Sequence, residues 1–106
     1  MIEVKIYHRK KLFIPFLDET ATSFDEKNYD LVADITSDSS KKENGNPAFV
    51  PNPEIMFALS QNISESWTKV LMNSDVKRRS TSVGDVIQID GINHLCDMIG
   101  FIEIPS

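Results

Sequence analysis

Apolar and polar residues alternate from residue 2 to residue 7, with Ile2, Val4 and Ile6 set against Glu3, Lys5 and Tyr7. A period of two is that of a half-buried strand, because successive side chains of extended backbone point to opposite faces. The period returns where Tyr29, Leu31, Ala33 and Ile35 alternate with Asp30, Val32, Asp34 and Thr36. This predicts a second strand whose outer face carries carboxylates. Between the two, Leu12 to Leu17 is apolar but interrupted by Pro15, which removes a ladder donor and suits short extended structure at an edge or a loop packed on the core.

From Ser37 to Pro53 the chain is rich in Ser, Asp, Lys, Glu, Asn, Gly and Pro, the composition of a long mobile loop. Asn52, Pro53 and Glu54 then supply an N-cap, a first helical position and a first-turn acid, so a helix starts there. Met56, Leu59, Ile63, Trp67 and Val70 recur at helical spacing and predict one core-facing stripe, with a break near Asn62-Ile63-Ser64 dividing it into two shorter helices. Ser82-Val83-Gly84-Asp85 reads as a tight turn. Val86, Ile87 and Ile89 lead through Asp90-Gly91 into Ile92, Leu95, Phe101, Ile102 and Ile104, the pattern of a β-hairpin. Gly100 interrupts the last strand and predicts a bulge. The expected fold is α+β: a small antiparallel sheet of about four strands in the order ββαββ, with one or two short helices packed on one face.

Composition narrows the class. With 106 residues, 41% hydrophobic and 25% charged, the chain has the make-up of a single folded domain, residues 1 to 106, with one core. Cys96 is the only cysteine, so no internal disulfide exists and a reducing, cytoplasmic setting is expected. No stretch has the continuous apolar length of a signal core or a membrane span. The net charge of −5 is unevenly placed. Asp18, Glu19, Asp25, Glu26, Asp30, Asp34 and Asp38 make one segment acidic, whereas His8-Arg9-Lys10-Lys11 and Lys77-Arg78-Arg79 are compact basic clusters. An acidic field favours a protein partner over nucleic acid.

Candidate chemistry is sparse. His94 and Cys96 lie two apart on one strand face without a third group to orient the histidine, so a buried structural thiol is expected. His8, His94, Cys96 and Asp97 lack the spacing of a metal site, and no metal or cofactor is expected. Asp85 and Asp90 are accounted for by turn formation, and Asp97 as an acceptor for backbone or Arg79. The glycines are scattered rather than gathered in a phosphate-binding loop.

The run Arg79-Ser80, Ser82-Val83, Asp85-Val86-Ile87, Asp90-Gly91, Cys96-Asp97, Gly100-Phe101 and Glu103-Ile104 resembles the C-terminal signature of YodL-like proteins, small domains carried by plasmids, conjugative elements and bacteriophages. The helix bearing Trp67 is similar to the one preceding that signature. Together they cover about half of the chain. The resemblance implies a setting on mobile DNA, where small acidic proteins inhibit or modulate host machinery.

The expected function is therefore a non-catalytic protein-interaction module of a mobile element or bacteriophage, an anti-defence inhibitor in its concrete form. It would dock on a host or element-encoded protein through Asp25, Glu26, Asp30, Asp34 and Asp38. The alternative is a nucleic-acid accessory factor using Arg9, Lys10, Lys11, Lys77, Arg78 and Arg79, which can neutralise phosphates if both clusters lie at one end of the sheet. An exposed edge strand would also let two copies pair as a homodimer.

Overall fold

Extended backbone seeded by the first alternating segment forms β1 (Ile2–Arg9), two residues longer than the pattern predicts. The structure, a computed structural model, describes residues 2–12, 20–37, 42–43, 46–47, 52–63 and 65–106. A 3-10 turn at Glu26–Asn28, capped by the Asp25 side chain, leads into β2 (Tyr29–Ser37). Two short strands, β3 (Lys42–Glu43) and β4 (Asn46–Pro47), pair with each other within the segment expected as a loop. Most of that loop, and the Leu12 to Leu17 run beyond Leu12, lies outside the described residues.

Helix α1 (Pro53–Leu59) starts as the sequence dictates: the Asn52 side chain accepts from Ile55 N at 2.9 Å and Pro53 takes the first position, where an amide hydrogen would lack a partner anyway. Helix α2 (Trp67–Met72) follows a break and ends at Asn73, whose φ of 53° lies in the left-handed region. The break resets the helical phase. Met56 and Trp67 are buried, but Leu59, Ile63 and Val70 are exposed, so the single stripe read from the sequence is corrected.

The C-terminal third supplies β5 (Val86–Ile89), β6 (Ile92–Cys96) and β7 (Phe101–Ile104). Asp90 and Gly91, with φ of 48° and 82°, form the expected tight turn, since both central residues take positive φ. Gly100 also has positive φ, at 79°, and its carbonyl accepts from Asp97 N at 3.0 Å. It closes a turn rather than making a bulge, which is why the main sheet has five strands. Their order is β2-β1-β5-β6-β7 and every pairing is antiparallel. The class is α+β, as expected.

One bulge does occur, in β2. Ile6 pairs with Ala33 and Tyr7 with Leu31, leaving Val32 as the extra residue. Beyond the bulge the strand's parity flips. Tyr29 and Leu31 therefore share the face of Tyr7, whereas Ala33 and Ile35 share the face of Ile6 and Val4. Asp30 and Asp34 consequently stand on opposite faces, not on the common outer face that strict alternation predicts.

The two faces are covered by different material. Val4, Ile6, Ile87 and Cys96 pack under Met56 and Trp67 of the helices. Tyr7, Val86, Leu95 and Ile104 pack under Phe24, from the segment before β2, and beside Tyr29. The Tyr7 and Phe24 rings meet edge-on at 4.8 Å, a geometry that sets a positive ring edge against a negative face.

Candidate functional site

Within the segment joining α2 to β5, residues 77 to 85 are tied down at several points. Trp67 Nε1 donates to Arg79 O at 2.7 Å, Thr81 N donates to Ser60 O at 3.0 Å, and Gln61 Nε2 donates to Thr81 O at 2.8 Å. These bonds fix a strand-like strap beside the end of β1. At its end lies Asp85, which is fully buried. A buried carboxylate is tolerated only with donors on its lone pairs, and Asp85 has four. Arg79 donates through Nη1 to Oδ2 at 2.6 Å and through Nη2 to Oδ1 at 2.8 Å, a two-pronged pairing. Arg9 N and Ser82 N each donate at 2.8 Å.

His8 borders this cluster. Its Nε2 and the Thr81 hydroxyl share a hydrogen bond of 2.9 Å, and its ring lies 5.8 Å from that of Trp67. Burial drives its pKa down to about 4, against the opposing pull of Asp85 and with the neighbouring Arg79 and Arg78 charges adding to the fall. The 4.0 Å approach of His8 Nε2 to Asp85 is thus no ion pair at neutral pH.

Sequence reasoning placed Asp85 with the turn formers and gave Asp97 either backbone or Arg79 as its donor. The turn role holds through Ser82 N, but the Arg79 partner is Asp85, and Asp97 accepts from Met98 N at 2.8 Å. Thr81 and the buried role of His8 were missed. The signal was the polar run Arg79-Ser80-Thr81-Ser82 ahead of a strand, which sterics of a turn alone do not require.

Cys96 sits in the helix-covered core, and burial pushes its thiol up to about 12. A thiol so shifted is protonated at neutral pH and is a weak nucleophile. His94 pairs in register with Glu103 on β7, and partial burial lowers its pKa. Among the described residues no group of three His, Cys, Asp or Glu is arranged to hold a metal ion. No helix there is long and apolar enough to cross a membrane.

The charged surfaces separate clearly. Asp25 caps the 3-10 turn and Glu26 is exposed within it. Asp30 and Asp34 are exposed on β2, Asp34 directly across from Lys5. Asp38 lies outside the described residues. The two basic clusters meet at one end of the sheet, where Arg79 Nη2 donates to Arg9 O at 3.3 Å. Arg79 itself is committed to Asp85, whereas Lys10, Lys11, Lys77 and Arg78 are exposed. At that same end, a cleft of about 300 Å³ opens between Arg9 to Lys11, the 20–29 segment and the end of β6.

Against known proteins the chain stands apart: no family model, no curated protein and no solved structure matches it.

Proposed function

We propose that this chain is a non-catalytic binding module that docks on a host or element-encoded protein through strand β2 and the turn before it. The observation that carries the reading is the position of β2. It ends the sheet, spans nine residues, and pairs with β1 alone in that sheet. Among the described residues no further strand pairs with its outer edge, the kind of edge on which an extended segment of another chain adds as a further strand. Leu31, 47% exposed, shares its face with Asp34, while Asp30 stands on the opposite face of the same edge strand. An exposed apolar residue with a carboxylate on its own face suits a protein contact, and the two carboxylates along the edge favour a basic partner.

The chemistry-bearing side chains support a binding rather than a reacting role. His8 is neutral and bonded to Thr81, Asp85 is saturated with donors, and the Cys96 thiol is held protonated. The mobile-element setting, with inhibition of a host defence protein as its concrete form, is carried by the resemblance of the 79–104 block. Of the six residues in the nucleic-acid reading, Lys10, Lys11, Lys77 and Arg78 are exposed, Arg9 is half-buried, and the Arg79 side chain is given up to Asp85.

The test is paired affinity capture with the full chain and an Asp30→Lys/Asp34→Lys variant that melts like it. The expected result is a saturable protein partner held by the first and lost by the second. Identical captures from both baits, or no saturable partner at all, would sink the proposal.

A further inference from the structure

We propose that the cleft at the basic end of the sheet is a binding site for a small organic phosphate. Three consecutive cations, Arg9, Lys10 and Lys11, form one wall. Thr20, Ser23 and Asn28, residue types that carry two hydroxyls and an amide, line it as well, and Val83 and Leu95 add apolar surface. This is the mixture a phosphate monoester requires: cations for its charge, neutral donors for the remaining oxygens, and apolar atoms for its carbon skeleton.

Backbone hydrogen bonds hold two sides of the cleft. Lys10 N donates to Asn28 O at 2.9 Å, tying the cationic wall to the polar one, and Gly84 N donates to Cys96 O at 2.9 Å on the far side. A site assembled before the ligand arrives loses less conformational freedom on binding. Two carboxylates also border the cleft, Asp25 and Asp97. Each turns an oxygen to nearby backbone, Asp25 to Lys27 N at 3.1 Å and Asp97 to Met98 N at 2.8 Å. Among the described residues the exposed cations at the cleft are Lys10 and Lys11, a pair suited to a compact anion rather than to a long polyanion. No glycine loop is involved, so this site is invisible to motif reading. It borders the proposed docking surface, sharing Asp25, Asn28 and Tyr29 with it, but binding here is read without any protein partner.

Amide shifts followed by NMR during titration with adenosine monophosphate, inorganic phosphate and a ten-residue oligothymidine test the site directly. The expected result is saturable movement of the Lys10, Asn28 and Gly84 amides with the mononucleotide, and weaker movement with inorganic phosphate. A Lys10→Ala/Lys11→Ala variant should bind the mononucleotide roughly tenfold or more weakly. A Lys77→Ala/Arg78→Ala variant should bind as the parent does. Absence of saturable shifts, equal weakening in both variants, or binding of the oligonucleotide without the mononucleotide would each overturn the proposal. The last outcome would assign this end to a nucleic-acid strand instead.

Discussion

Strand β1 has a differently charged neighbour on each side. Next to it on one side, at the entrance to β5, Asp85 is fully buried and receives four hydrogen bonds. On the other, along β2, Asp30 and Asp34 stand in water at the edge of the sheet. The same side chain therefore serves two purposes within one small sheet. Buried, its charge is compensated by Arg79 and backbone amides and specifies how the 77–85 strap closes over the end of β1. Exposed, its charge is screened, contributes little to stability, and remains available to a partner.

The contrast is sharpest under substitution. Asp85→Ala should lower the unfolding free energy by about 3–5 kcal/mol, since it leaves the Arg79 guanidinium and two amides without their acceptor. A domain of this size has a total stability of about 5–15 kcal/mol, so the variant should melt far below the parent in a thermal scan. Asp30→Ala or Asp34→Ala should change stability by less than about 0.5 kcal/mol in the same assay. Equal losses at the buried and exposed positions would erase the distinction.

Acid adds a second, smaller test. The pKa of His8 is depressed from 6.5 to about 4 in the folded protein. Between these values the unfolded chain binds a proton that the folded chain refuses, so stability falls as pH drops through that window. The loss is on the order of 3 kcal/mol for this group, which is 5% exposed. Denaturation of the parent and of His8→Gln at several pH values should show this slope in the parent and a shallower one in the variant. Parallel slopes would mean that His8 is not buried neutral.

Local chemistry explains how much of this was legible beforehand. The Asp90-Gly91 hairpin, the Asn52-Pro53 helix start and the alternation in β1 are short-range signals, set by backbone sterics within a few residues, and each reads directly. The Val32 bulge does not. Apolar residues occupy both parities of β2 around it, so either face of the strand satisfies the pattern until tertiary packing chooses. Gly100 was ambiguous for a related reason: positive φ serves a bulge and a turn alike.

Among the candidate site residues, the meeting of the two basic clusters followed from their places at the end of β1 and before β5. The capture of Arg79 by Asp85 did not, because one of the bonds completing that cluster comes from Arg9 N, 76 residues away. Thr20, Ser23 and Asn28 belong to a stretch without periodicity, where sequence gives composition but no direction. Only the fold brings them into one cleft with Lys10 and Lys11.

The most direct measurement is a double-mutant cycle on Arg79→Gln and Asp85→Asn by urea denaturation. Charge committed to the fold predicts a coupling of at least about 2 kcal/mol between the two positions. A coupling below about 0.5 kcal/mol, the value of an ordinary exposed pair, would contradict it.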